Sequence, residues 1–103
     1  MQKTEFIAEI AERSGVSKKQ AKQVLDTALH IIAEQLQDGE RVVLTGFGTF
    51  EVRERRERQG VNPQTKEPMT IGATRTPGFS ASNSFKNVIK GTTSMQELQQ
   101  EMD

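Results

Sequence analysis

Arg53, Arg55, Arg56 and Arg58 crowd the stretch "EVRERRERQ", and Asn62-Pro63 follows a few residues later. Each guanidinium offers a planar fork of N–H donors that fits the oxygens of a phosphate or carboxylate. A row of such forks is the chemistry of polyanion binding. Glu51, Glu54, Glu57 and Glu67 interleave with the arginines, so a solvated surface hairpin fits the same residues. Pro63 adds a second property. It has no N–H and cannot continue a strand ladder, so a turn is its default setting. At a projecting basic tip, its rigid apolar ring can also act as a wedge between base pairs while arginines hold the phosphates.

Two strands must carry such a tip outward. "RVVLTGFGTFEV" is β-branched and aromatic, and reads as two strands joined by the turn "TGFGT", with Phe47 and Phe50 as core anchors. The second strand is expected to continue to Arg58, with "MTIGATRT" as its returning partner and "GVNPQTKEP" as the tip. Pro77 is expected to end the return strand. Arms of about ten residues at about 3.3 Å per residue reach roughly 30 Å. Val52 is the single aliphatic residue between Glu51 and Gln59, so the arm has no core of its own and is expected to be mobile until bound.

Helices must anchor the strands. Phe6, Ile7, Ile10 and Ala11 recur at helical spacing, and Gly15 supplies a stop. Ser17 opens a second helix with Gln20 as its capping-box partner, and Asp38-Gly39 closes it. Its apolar stripe comprises Ala21, Val24, Leu25, Ala28, Leu29, Ile32 and Leu36, widened by Ile31. That breadth implies more than one neighbour. A third, short helix is expected from about Ser82 to Lys90, stopped by Gly91. "TTSMQELQQEMD" has two readings. A frayed terminus is the usual fate of so short a segment. The alternative is a fourth helix, with Ser94 and Glu97 as a capping box and Met95, Leu98 and Met102 on one face.

The chain has 103 residues, 33% hydrophobic and 27% charged, enough for one small domain with a modest core. A homodimer is the simplest way to complete its burial. There is no cysteine. The segment "MQKTEFIAEIAERSG" is amphipathic and carries acids, so neither a signal peptide nor a membrane span is expected, and the protein is expected to be soluble and cytoplasmic. Net charge is zero, yet its distribution is uneven: −1 over residues 1–50, +4 over 51–90 and −3 over 91–103. His30 has no second histidine or cysteine to form a ligand set, and Glu5, Glu9 and Glu12 read as a solvated helical face. No nucleophile and base, and no glycine-rich phosphate loop, can be made out. No catalysis, cofactor, metal or small-molecule substrate is therefore expected. "AERSGVSKKQAKQVL" has the look of a helix-turn-helix, but the broad apolar face of its second helix favours burial over groove docking.

Five stretches, in this order, carry a resemblance: "KTEFI" at 3–7, "SKKQA" at 17–21, "GFGTFEVRER" at 46–55, "NPQT" at 62–65 and "ATRTPGF" at 73–79. They are similar to the bacterial HU/IHF family of histone-like nucleoid DNA-bending proteins, and most of all to HU. The resemblance spans residues 1–90 and implies an α+β fold, an IHF-like intertwined dimer. Two N-terminal helices form a base (1–38), a three-stranded antiparallel sheet carries a long β-arm (40–77), and a short third helix follows (82–90). Residues 91–103 lie outside it as an acidic C-terminal extension. The implied function is an architectural protein that binds the minor groove of double-stranded DNA through paired β-arms, bends it with little sequence specificity, and condenses DNA in the nucleoid. The implied DNA contacts are Lys3, Gly46, Arg53, Arg55, Arg56, Arg58, Asn62, Pro63, Gln64, Lys66, Arg75 and Lys86, with Pro63 intercalating.

Departures from the family pattern bear on affinity. Val61 stands where the family usually has arginine, Lys66 where glycine is common, and Ser80 and Asn83 where lysines are frequent. Each lost phosphate contact weakens binding and flattens its salt dependence. Two rivals stay open: a site-specific bender that reads deformability, and an interaction or structural module on the same fold with weakened DNA binding. The extension's three acids, if held within a Debye length of DNA (about 8 Å at physiological salt), would repel phosphates.

Overall fold

The computed structural model describes residues 1–103, apart from the side chain of Ile71. Helices α1 (Lys3–Ser14) and α2 (Lys18–Gln37) form the base. Gly15 closes α1 in the left-handed conformation, φ 71°, which glycine adopts without steric cost. The expected capping box opens α2: Ser17 Oγ accepts from the Gln20 amide at 3.1 Å, and Gln20 Oε1 accepts from the Ser17 amide at 3.0 Å. Ile7, Ala11 and Ala21 are buried between the helices, with Ile10 and Leu25 packed beside them.

Strands β1 (Val42–Leu44), β2 (Gly48–Arg55) and β5 (Thr74–Ala81) form an antiparallel sheet in the order β1-β2-β5. Strands β3 (Arg58–Val61) and β4 (Pro68–Ile71) pair separately as the outer arm. The expected continuous strand from Phe50 to Arg58 is therefore broken at Arg56-Glu57, opposite a break at Gly72-Ala73 on the return. Charged residues facing a glycine and an alanine offer no cross-strand packing to hold the ladder there. The tip is also shorter than expected. Gly60, Val61 and Pro68 belong to strands, and the loop is 62–67.

Pro77 does not end the return strand, which continues to Ala81 with Pro77 opposite Val52. β5 pairs with β2 alone. Its outer edge has no ladder to lose, and an edge tolerates a missing N–H. The arm makes the molecule long, 57 × 35 × 27 Å, with a radius of gyration of 19.0 Å, against about 13 Å for a compact chain of this length.

Helix α3 (Asn83–Lys90) follows, capped by Ser82, whose Oγ accepts from the Phe85 amide at 3.1 Å. Phe47, Phe50, Phe79 and Phe85 cluster between α3 and the sheet, with ring centroids 4.7 Å apart for Phe47–Phe85 and 4.8 Å for Phe50–Phe79. Each such pair contributes about 0.5–1.5 kcal/mol beyond its area. These phenylalanines are only half-buried. The middle of the α2 stripe is likewise uncovered, between buried Ala21 and Leu36: Val24 is 68% exposed, and Leu29 and Ile31 are each 50% exposed.

Residues 91–103 are not frayed. Helix α4 (Met95–Met102) forms, and Ser94 Oγ accepts from the Glu97 amide at 3.4 Å. The expected Met-Leu-Met face is not buried as a unit. Leu98 is buried, whereas Met95 and Met102 are exposed.

Candidate nucleic-acid interface

Register decides which arginines share a surface, because cross-strand partners project to the same side. Arg53 pairs with Thr76 and Arg55 with Thr74, while Glu54 pairs with Arg75. Phe50 and Phe79 stack as a pair on the core side. Glu54 lies four residues beyond Phe50, so Glu54 and Arg75 lie on the core side too. Arg53 and Arg55, with Thr49, Glu51 and Ser80, occupy the opposite, outer side of the sheet.

Arg53 lies flat over Gly78. Its Nη2 donates to the Phe79 carbonyl at 3.2 Å and to Ser80 Oγ at 3.4 Å. A Cβ at Gly78 would come within 2.6 Å of Arg53 Cδ, so the absent side chain makes the bed for the guanidinium stem. Ser80 donates to Glu51 Oε1 at 3.1 Å, and that oxygen lies 3.7 Å from Arg53. Glu51, Arg53 and Ser80 thus form a network on the outer face that the sequence alone did not show. Arg75 faces Glu54 at 3.7 Å and reaches toward Gly39 at the end of α2, where the helix carbonyls favour a cation.

From the end of the sheet outward the cations are differently placed. Arg55, Arg56, Arg58 and Lys66 are exposed, and among the described residues no ion pair involves them. Asn62 builds the tip. Its Oδ1 accepts from the Gln64 amide at 2.9 Å and the Thr65 amide at 3.4 Å, while its backbone carbonyl accepts from Lys66 at 2.7 Å. This Asx-type turn leaves Pro63 and Gln64 exposed at the apex. Lys66 closes the turn at φ 59°, a left-handed conformation that suits glycine.

The remaining predicted residues sit on the body. Lys3 pairs with Asp26 at 2.7 Å, and Lys22 approaches the other oxygen of that carboxylate at 2.6 Å. Gly46 lies in the β1–β2 turn at φ 82°. Ser82 Oγ donates to its carbonyl at 2.5 Å, and the Ser82 amide donates to the Phe47 carbonyl at 2.9 Å, tying that turn to the start of α3. Lys86 is exposed on α3. Sheet and arm therefore bring Arg53, Arg55, Arg56, Arg58, Asn62, Pro63, Gln64 and Lys66 into one projecting structure. Lys3 lies apart from it in the helical base, and Arg75 is turned to the other side.

The sequence pattern of the family described as Bacterial DNA-binding protein matches residues 1–90. The chain belongs to this family. DNA-binding protein HU-1 of Halalkalibacterium halodurans is 51% identical over 90 residues, which is 87% of this chain and all of that protein. Among solved structures, the Anabaena HU–DNA cocrystal structure superposes with a TM-score of 0.83 at 48% identity, covering 86% of this chain and 97% of that one. The solution structure of a mutant of transcription factor 1 matches over 96% of this chain and 99% of that one, at a TM-score of 0.60 and 30% identity. The HU/IHF fold is thus shared by the α+β body and its arm. His30 faces Glu34 one helical turn away at 2.5 Å, and among the described residues no group of three His, Cys, Asp or Glu side chains could hold a metal ion. Among them, too, no helix is long and apolar enough to cross a membrane.

Proposed function

We propose that this HU-family chain is an architectural DNA-binding protein of the bacterial nucleoid. As a homodimer it embraces duplex DNA with two β-arms, inserts Pro63 at the minor groove and bends the duplex with little sequence preference. One observation carries this reading: an arm that projects from the body, with exposed Arg55, Arg56, Arg58 and Lys66 outside any ion pair among the described residues, and with Pro63 held at its apex by Asn62. Exposed guanidinium and ammonium groups grip phosphate without register, and the rigid ring unstacks a step at a cost of a few kcal/mol that the added contacts offset. The minor groove presents a degenerate donor and acceptor pattern, which supports low specificity. The dimer is supported by the uncovered Val24, Leu29 and Ile31 on α2.

On this reading the contacts are Arg53, Arg55, Arg56, Arg58, Asn62, Pro63, Gln64 and Lys66 on arm and sheet, with Gly46 and Lys86 on the body. Lys3 and Arg75 are paired with Asp26 and Glu54, so on this reading they meet phosphate only by giving up those partners. The working DNA-binding unit is residues 1–90. Mobility shift and fluorescence-transfer bending on unrelated duplexes test it. Similar affinity across sequences is expected, and Pro63→Ala should reduce bending far more than affinity. Undiminished bending by Pro63→Ala would remove the wedge, and binding confined to one sequence would make the protein a site-specific bender.

A further inference from the structure

Helix α4 rests on the Gly46 turn. A Cβ at Gly46 would lie 2.5 Å from the Glu101 carbonyl oxygen and 2.6 Å from the Met102 amide nitrogen. The backbone of the last turn of α4 therefore occupies the space a side chain would need. Gly46 is constrained twice, by this contact and by its φ of 82°. The approach is set by a short, hydrogen-bonded link. Gly91 ends α3 in the left-handed conformation, and the Thr92 amide and hydroxyl both donate to the Asn87 carbonyl, at 2.9 and 3.2 Å. Ser94 then caps α4, and Leu98 is buried.

The charge that α4 brings is of one sign. Glu97, Glu101 and Asp103 are exposed, and among the described residues none pairs with a cation. The carbonyl end of the helix adds partial negative charge at the turn. A backbone carbonyl at the negative end of a helix thus already sits against Gly46, one of the two body positions assigned to phosphate. The hold of α4 is light. Leu98 is the one side chain of α4 that is buried, and an isolated helix of this length does not persist in water.

We propose that α4 is a detachable cover of the Gly46 turn that competes with DNA for the body of the protein, so that a fully wrapped duplex releases it. The inference rests on the DNA-binding reading above. Docked, the helix leaves the arms as the main grip. Released, it opens the body contacts and removes its carboxylates from the phosphate path.

Hydrogen exchange on the full chain, with and without a linear duplex, tests this directly. The amides of α4 should lose protection when DNA binds, and unchanged or increased protection would overturn the proposal. Titrations of the parent, a chain ending at Lys90, and Leu98→Ala (which keeps every charge but loses the anchor) give the second arm. Both variants should bind several-fold more tightly than the parent, with a salt slope steeper by about one unit per regained phosphate contact. Equal affinity of all three would refute the cover while leaving the DNA-binding reading intact. No binding by any of them would refute that reading instead. The triple variant Glu97→Gln, Glu101→Gln, Asp103→Asn keeps the helix docked without charge. If it binds as tightly as the shortened chain, repulsion alone is at work and the cover is wrong.

Discussion

Replacing Arg58 by alanine removes a guanidinium that is exposed on β3 and makes no ion pair among the described residues. Nothing in the protein must be released for it to meet a phosphate, and nothing is left stranded when it is deleted. Each phosphate contact on B-DNA contributes about 0.9 to the slope of log affinity against log salt, so a homodimer with two arms should lose about 1.8. Across a fourfold change in salt that slope is worth about 12-fold in affinity, so Arg58→Ala should bind more weakly at low salt and approach the parent at high salt. Arg75→Ala is the matched control. Its guanidinium faces Glu54 at 3.7 Å on the core side of the sheet, so its loss should leave the slope unchanged. A mobility-shift titration at four or more salt concentrations reads both slopes. Equal flattening by Arg58→Ala and Arg75→Ala would refute the setting of Arg75 on the core side, away from DNA, and with it the choice of contact residues.

Three further expectations follow from single features. Lys66→Gly should relieve the left-handed backbone at the tip by about 1–2 kcal/mol, seen as greater exchange protection of the Asn62 and Lys66 amides, while DNA binding loses about 0.9 per arm in salt slope. Asp26 is drawn down from 3.8 to about 2, first by the hydrogen bond from Lys22 and next by that from Lys3. A carboxyl depressed by folding stabilises the protein above its unfolded value and loses that contribution as pH falls through its folded one. Thermal melts of Asp26→Asn should accordingly show a flatter decline than the parent between about pH 4 and pH 2. If the proposed homodimer covers Val24, Leu29 and Ile31 of α2, the melting temperature of the protein should rise with its concentration, and a concentration-independent melt with a monomer mass would count against the dimer.

What the sequence by itself determined lies within a few residues of its cause. Gly15, the Ser17–Gln20 box and Gly91 set the bounds of α1, α2 and α3, because a cap acts on amides and carbonyls one turn away. The turn at Gly46 and the Asn62-Pro63 tip were legible for the same reason, as was the density of arginine between them. The tertiary structure decided what depends on partners far along the chain. Arg53 and Arg75 look alike in sequence, yet pairing with residues more than twenty positions away puts one beside Ser80 on the outer face and the other beside Glu54 on the inner. Pro77 stays within a strand because β5 is an edge, which a local rule about proline cannot see. In sequence, fraying is the favoured fate of so short an extension, with a helix as the alternative. An eight-residue helix has too few hydrogen bonds to offset its nucleation cost, so the outcome turned on burial of Leu98 and a glycine more than fifty residues away whose missing side chain leaves room for the backbone of α4.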